Sequence, residues 1–468
     1  MIAPQIVAKL RKEATCAPSG QLYRIETWGC QMNVLDGERM AGQMEGLGLR
    51  PASSPDEAGV VILNTCSVRE KAEAKVYSAL GVLGIRKREE PELVIGVTGC
   101  VAQVDQDEIL ERAPWVDFVL GTGQVASVGD VVERIRRERR QHTSFEMPVE
   151  SPVYQFRQIT RGSRFQAYVT VIEGCDQFCT FCIVPFTRGR ERSRSSGEIL
   201  EEIEHLTSRG FTEVTLLGQT VNAYRDPVEG FGLGELLRRA ACIAGLRRLR
   251  FITSHPRLVD QAMIEALAAG GPIAPYLHLP AQSGSDRILY RMKRRYDARD
   301  YRALVGRIRA ALPQIALSSD FIVGFPGETE EDFQATLDLV REIRFDSLFA
   351  FRYSPRPGTA SARWGRAAEV PDAVSAERLA RLLAVQEEIQ VVANRALEGR
   401  EFEVLIEGED RQGHSRGRTP CNRIVHVQGA ATLPPGSYVR ARIERGLPNS
   451  LLGSAIELRG PLRSEMAV

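Results

Sequence analysis

Three times between residues 21 and 100 an apolar β-type run closes on a cysteine, and a helical pattern follows. The runs are LYRIETWGC, GVVILNTC and ELVIGVTGC, ending at Cys30, Cys66 and Cys100. Those cysteines are 36 and 34 residues apart, about the length of one βα unit. Successive βα units build a parallel sheet with helices on its faces, and such sheets bind ligands at the carboxyl ends of their strands. All three cysteines stand at that point. Packing of a small apolar residue at a strand end accounts for one such cysteine. It does not account for three at the same place in successive units, so a shared metal site is expected.

A second alternation runs through residues 161–391. Its β-type runs are AYVTVIEG, EVTLLG, LRFITS, YLHLP, IALSSDFIVG and DSLFAFRY. Helical patterns separate them, such as SGEILEEIEHLTSRG, with Ile199, Ile203 and Leu206 on one face. Ser196 and Gly197 mark its start and Gly210 its stop. Six βα units of this length predict a partial (β/α) barrel, whose chemistry belongs at the carboxyl ends of its strands. Residues 394–460 carry short strands with turns at LPPGS and GLPNS, which predicts a small all-β barrel of OB-like size. The fold class expected is therefore α/β and multidomain, with units at 21–140, 161–391 and 394–460. Residues 141–160 hold two prolines without clear periodicity and read as a linker.

Directly after the first run of the second unit comes EGCDQFCTFCIVPFTRGRERSR, with Cys175, Cys179 and Cys182 inside eight positions. A structural zinc site takes four ligands, usually from two separated pairs, and this set is too tight and one short. Soft thiolates suit an iron–sulfur cluster. A cubane has four irons, so three cysteines leave one iron open for a substrate. The CTFC tetrapeptide alone also fits a redox pair, but that leaves Cys175 unexplained.

Composition narrows the field. The chain has 468 residues, nine of them cysteine. No run nears the ~20 apolar residues of a membrane-spanning helix, and MIAPQIVAKLRKEATCAPSG has no apolar signal region. The cytoplasm is the expected compartment, where thiols serve metal or redox chemistry rather than structural disulfides. Net charge is only +1, so any nucleic-acid site must be a local patch. Arg outnumbers Lys 55 to 6, which reads as base composition of the genome. The run Arg134–Arg140 reads as a solvated helix end. Cys16, Cys242 and Cys421 fall outside both triads and read as ordinary cysteines.

The 175–182 segment resembles the radical S-adenosylmethionine (SAM) signature, with Phe181 as the aromatic before the last cysteine. The likeness extends over about residues 22–460. TWGCQMN, LNTCSVREKAEAKV and the Gly99–Cys100 pair resemble the amino-terminal domain of the methylthiotransferases. LLGQTVNAY, TSHP, LHLPAQSGSDRIL, SSDFIVGFPGETEEDF and SPRPGT resemble their radical core, and GRTPCNRIV their terminal TRAM domain. NTCSVREKA and the GRT and NR flanks resemble the bacterial branch acting on N(6)-isopentenyladenosine in tRNA. Phe178 and Phe181 stand where tyrosine is frequent, and Trp28 where phenylalanine is.

The resemblance implies that Cys175, Cys179 and Cys182 hold the radical-generating [4Fe-4S] cluster and that Cys30, Cys66 and Cys100 hold an auxiliary one. One SAM would supply the methyl group, and a second the 5′-deoxyadenosyl radical that takes hydrogen from carbon 2 of the adenine. Phe181, Gln219, Ser283 and Asp320 are the candidate SAM contacts. Asn222, Ser254, His255, Gln282 and Arg352 are further strand-end candidates for SAM, substrate or support. The glycines of GFPGE (324–328) are expected to let backbone approach SAM. Partners implied are the anticodon stem-loop of tRNA, an electron donor such as flavodoxin or ferredoxin, and sulfur or iron–sulfur delivery proteins. A monomer is expected, with no membrane association. Arg416, Arg418 and Arg423 are candidate RNA-backbone contacts. Other readings stay open: the same chemistry on threonylcarbamoyladenosine or a ribosomal-protein aspartate, or a non-catalytic, metal-stabilised RNA-binding protein.

Overall fold

The structure, a computed structural model, describes residues 21–66, 70–150, 154–365, 368–428 and 433–459. Cys16 and the Ser67–Arg69 stretch of NTCSVREKA lie outside the described residues.

The amino-terminal unit is a six-stranded, all-parallel sheet in the order β2-β1-β3-β4-β5-β6. The strands are β1 (Leu22–Trp28), β2 (Arg50–Pro51), β3 (Val60–Thr65), β4 (Val94–Gly99), β5 (Phe118–Leu120) and β6 (His142–Ser144). VVILNT and VIGVTG are buried along their whole length because helices cover both faces. On one side, α1 (Gln31–Gly46) brings Met40 and Met44 against β1, β3 and β4. The other side is covered by α2 (Glu70–Glu89), α3 (Cys100–Asp105) and α4 (Glu108–Arg112). The helix α5 (Val128–Glu138) returns to the first side and ends in exposed arginines, as the charge run predicts. The segment expected as linker is partly sheet, since His142–Ser144 pairs in parallel with β5. Three residues suffice for an edge strand held by backbone hydrogen bonds, and HTS carries no apolar alternation to reveal it.

The second unit has the six expected barrel strands: β7 (Gln166–Thr170), β10 (Glu213–Leu217), β11 (Arg248–Phe251), β12 (Tyr276–His278), β13 (Ala316–Val323) and β14 (Ser347–Arg352). They form two parallel three-stranded sheets, β11-β10-β7 and β12-β13-β14, linked by a bridge from Leu249 to Ile273. Past β7 the chain makes a small antiparallel pair, β8 (Ile172–Glu173) with β9 (Arg192–Ser193), around the short helix α6 (Val184–Arg188). The outer helices are α7 (Ser196–Ser208), α8 (Leu233–Ala241), α9 (Gln261–Ala269), α10 (Asp286–Arg291), α11 (Ala298–Ala311), α12 (Glu330–Ile343) and α13 (Asp372–Arg395). In α7 the cap is Ser195, one residue before the expected start, and its side chain accepts the Glu198 N–H. Ile199, Ile203 and Leu206 are buried, as their spacing predicts.

The third unit is a closed barrel, β15 (Glu401–Glu409), β16 (Ser415–Arg418), β17 (Ile424–Gln428), β18 (Tyr438–Gly446) and β19 (Leu451–Arg459), in the order β15-β16-β17-β19-β18. It caps the amino-terminal ends of the large barrel's strands. Arg250 donates to the carbonyls of Thr419 and Pro420 at 3.0 and 2.9 Å, and Arg248 to those of Arg418 and Glu403 at 2.8 and 2.9 Å. Arg423 pairs with Asp346 and Asn394. Arg418 bonds Asn422 and pairs with Glu407. Two of the three arginines expected on RNA are thus committed inside the protein, and GRTPCNR serves as a plug beneath the large barrel. Arg416 remains half-buried at the surface of the small one.

The first unit sits at the opposite, carboxyl end of the barrel strands. Met32 and Leu35 of α1 pack on Leu217 at the end of β10. A buried ionic network crosses the seam. Glu202 accepts Arg161 and Arg194 at 2.7 Å each, and Arg161 continues to Glu38 on α1 at 3.3 Å. The Tyr154 ring lies between Arg39 and Arg194, 4.3 and 4.4 Å from their guanidinium carbons. Glu202→Ala would leave buried Arg194 without its carboxylate and Arg161 with Glu38 alone, and is expected to cost about 3–5 kcal/mol by denaturant unfolding. Glu342→Ala, which breaks the exposed pair with Arg302, should cost less than about 1 kcal/mol. Equal losses would mean that the seam network does not hold the domains.

Candidate active site

Cys175 follows β8 through Gly174, whose φ of 80° and contact with the Arg190 carbonyl exclude a side chain: a Cβ there would lie 2.0 Å from that oxygen. The Cys175 N–H donates to the Gly189 carbonyl at 3.1 Å and the Cys182 N–H to that of Cys179 at 3.0 Å, so the cysteine loop folds back on itself. Cys175 and Cys179 are buried and Cys182 half-buried. Two donors address their sulfurs. Arg294 Nη1 lies 3.3 Å from Cys179 Sγ, and the Thr220 hydroxyl 3.2 Å from Cys175 Sγ. Burial pushes the Cys182 thiol up to about 12 and raises Cys175. Iron would displace these protons, because the thiolate is the ligand.

The second triad forms at the ends of β1, β3 and β4. Cys30 caps α1, Cys66 follows β3 and Cys100 opens α3. The first two are brought together by Asn33 and Asn64, both fully buried. Asn33 Nδ2 donates to Asn64 Oδ1 and the Thr65 carbonyl at 3.1 Å each, Asn64 Nδ2 to the Asn33 carbonyl at 2.7 Å, and the Cys30 thiol to Asn33 Oδ1 at 3.2 Å. A Cβ on Gly29 would stand 2.9 Å from that of Cys66. A hydrogen bond from Cys66, aided by the Arg188 charge, brings the Cys30 thiol down to about 6. Burial raises Cys100 against the same arginine. Cys30 is exposed although protein surrounds it, which is the mark of a concave site.

Among the described residues no three His, Cys, Asp or Glu side chains converge as ligands of one metal ion. Thiolates that each bind a different iron of a cubane stand farther apart than ligands of one ion. The donor chemistry fits such a cluster in both places: three cysteines apiece, with cationic or hydroxyl donors at the sulfurs. It does not fit a closed zinc site.

The SAM candidates divide. Gln219 Oε1 accepts the Gly174 N–H at 2.5 Å and so supports the cysteine loop. Phe181 packs edge-on to Phe325, centroids 6.3 Å apart. Ser283 is buried and accepts the Ser285 N–H at 3.2 Å, stabilising its own turn. Asp320 is partly exposed and meets His278 Nε2 at 3.3 Å. Asn222 and His255 are locked together, Asn222 Nδ2 to the His255 carbonyl at 2.9 Å and the His255 N–H to Asn222 Oδ1 at 2.8 Å. The His255 ring accepts the Arg257 N–H, and burial lowers its pKa to about 2, keeping it neutral. Ser254 Oγ is buried with no partner among the described residues, so a ligand hydrogen bond remains open to it. Gln282 has a positive φ of 71°. Arg352 is exposed toward Asp372. In GFPGE, Gly324 faces Ser375, 2.6 Å from where a Cβ would lie, so its smallness serves the packing of α13.

Sequence reasoning missed Arg188, Thr220, Asn33, Asn64 and Arg294. The first four lie inside the motif strings already singled out, beside cysteines or strand ends. Arg294 lies in RMKRRYD, which carries no local signal.

Residues 22–121 match the family model described as Uncharacterized protein family UPF0004, residues 169–340 the radical SAM superfamily and residues 395–456 the TRAM domain. Curated relatives match almost end to end. The tRNA-2-methylthio-N(6)-dimethylallyladenosine synthase of Mycobacterium bovis is 43% identical, covering 97% of this chain and 92% of its own. That of Cereibacter sphaeroides is 48% identical, covering 92% of this chain and 98% of its own. The chain belongs to this family of radical SAM enzymes. Among solved structures, the radical SAM methyltransferase TsrM of Kitasatospora setae, with cobalamin and a [4Fe-4S] cluster bound, aligns with a TM-score of 0.51 at 15% identity, over 73% of this chain and 74% of that one. At that identity the likeness speaks for fold alone. The family implies a [4Fe-4S] cluster and SAM, and its relatives are named for a tRNA product.

Proposed function

We propose that this chain is a tRNA methylthiotransferase that places a methylthio group on carbon 2 of N(6)-isopentenyladenosine at position 37, beside the anticodon. Cys175, Cys179 and Cys182 hold the cluster that binds SAM, and Cys30, Cys66 and Cys100 hold an auxiliary [4Fe-4S] cluster. The domains are 21–140, 161–391 and 394–460. The observation that carries this reading is the placement of two three-cysteine sets at the strand ends of adjoining domains, bridged by one buried arginine.

When bound, the two clusters supply an electron that cleaves SAM to a carbon radical and a site for the sulfur to be transferred. Removing hydrogen from an adenine carbon needs a radical, since no side-chain base takes that proton. The protein's own part is placement. Gln219 and Gly189 hold the loop of Cys175, Arg294 and Thr220 donate to sulfur, and the amino-terminal domain covers the barrel mouth against water. A loop base unstacked from the anticodon arm is reachable by such a site. The TRAM domain meets the RNA on a surface other than Arg418 and Arg423. Flavodoxin or ferredoxin supplies electrons, delivery proteins supply sulfur and clusters, and a monomer works in the cytoplasm. Among the described residues no helix is long and apolar enough to cross a membrane.

The test is anaerobic reconstitution followed by incubation with SAM, a strong reductant and isopentenylated anticodon stem-loop RNA. The expected outcome is about eight irons per chain, as two cubanes require, and a methylthio mass gain on the nucleoside. Formation of 5′-deoxyadenosine without that gain would overturn the substrate. Zinc in place of iron, with no SAM binding, would favour a metal-stabilised RNA-binding protein.

A further inference from the structure

The thiols of the amino-terminal triad face a cation that their own domain does not supply. Arg188 ends α6, six residues after Cys182 in the barrel domain, and only 6% of it is exposed. Its Nη2 lies 2.8 Å from Asp36 Oδ2 on α1. Neither atom has an aligned hydrogen-bond partner among the described residues. Asp36 is also shared with Arg39, whose Nη1 is 3.5 Å from Oδ1. The helix α6 that Arg188 ends packs against α3, which Cys100 opens, and the guanidinium charge acts on the thiols of Cys100 and Cys30. Its position is held from both sides: the Thr122 hydroxyl donates to the Thr187 carbonyl, and Gly189 accepts from Cys175.

One nitrogen of this buried guanidinium, Nη2, stands beside Asp36 without an aligned hydrogen bond; a buried donor left so is costly, and a buried cation is kept where anions are held. Three thiolates and a sulfur anion concentrate negative charge where the dielectric is low. A fixed cation offsets that repulsion, and net charge with hydrogen bonds to sulfur sets the potential of an iron–sulfur site.

We propose that Arg188 is a positioning residue of the Cys30–Cys66–Cys100 site, where its guanidinium retains a sulfur anion of the hydrosulfide or thiolate class and offsets the charge of the three cysteines. This rests on the reading of that triad as a cluster site. It makes the site a product of both domains, since the thiols come from one and the counter-charge from the other.

The test uses the full chain with Cys175, Cys179 and Cys182 replaced by Ala, so that only the amino-terminal cluster is loaded. Its midpoint potential is followed by electron paramagnetic resonance, and methanethiolate is titrated as the probe anion. Arg188→Gln is expected to move the midpoint to a more negative value and to weaken methanethiolate binding by about 10–100-fold. Arg188→Lys keeps the charge and should hold the midpoint. Asp36→Asn removes the ion pair between domains but not the cation, and should retain both properties. An unchanged midpoint and affinity in Arg188→Gln would overturn the proposal. So would equal effects of Asp36→Asn and Arg188→Gln, because the arginine would then be only a latch. Failure of the parent variant to assemble any cluster would sink the cluster reading itself, and the proposal with it.

Discussion

Cys179→Ala is expected to abolish 5′-deoxyadenosine formation from SAM. Cys179 is the middle cysteine of a loop whose three thiols are mutually close, and its sulfur is the one that Arg294 addresses. Without it only Cys175 and Cys182 of the proposed set would be left to hold the cluster that binds SAM. Turnover to 5′-deoxyadenosine, read by chromatography under strong reductant, should fall to background, and iron should fall toward about four per chain as the other cluster alone remains. Arg294→Met separates support from ligation. It leaves every ligand in place but removes a buried charge-assisted donor, so the rate should fall by about 10–100-fold with iron retained. A Cys179→Ala protein that still cleaves SAM at the parental rate would remove this loop from the chemistry.

Cys100→Ala should give the converse result. Cys100 opens α3 directly behind Gly99, whose φ is 90°. Its loss would take one of the three proposed thiols from the amino-terminal set while Cys175, Cys179 and Cys182 stay in place. Methylthio product should therefore vanish, while SAM cleavage to 5′-deoxyadenosine persists within a few-fold. Iron should again drop to about four per chain. Cys66→Ala should behave alike, with the added loss of the hydrogen bond that lowers the Cys30 thiol. If either variant loses SAM cleavage as completely as Cys179→Ala, the two cysteine sets do not have separate tasks. If either keeps the methylthio product, the amino-terminal set is not the sulfur site.

Much of this molecule is written in local pattern. The β-runs ending at Cys30, Cys66 and Cys100 are legible because strands buried on both faces need continuous apolar sequence, as VVILNT and VIGVTG show. The six barrel strands are legible for the same reason, and Ile199, Ile203 and Leu206 because a helix repeats every 3.6 residues. The C-x3-C-x2-C loop is legible as a candidate ligand set because one loop holds all three cysteines. The edge strand at His142–Ser144 carries no such pattern, since backbone bonding alone makes it. The roles of Arg418 and Arg423 were equally hidden. An arginine has the same local signature whether it meets phosphate or, as Arg423 does, a carboxylate more than seventy residues away in sequence.

From the sequence alone came the three units, the two cysteine sets and the element that carries each thiol, because these depend on periodicity and spacing within a few turns of chain. The tertiary structure alone decided that both sets lie at one end of the barrel, that GRTPCNR plugs the other, and that Arg188 crosses from one domain to Asp36 of the next. Those are contacts between segments far apart in the chain, governed by which buried charges find partners as the domains close.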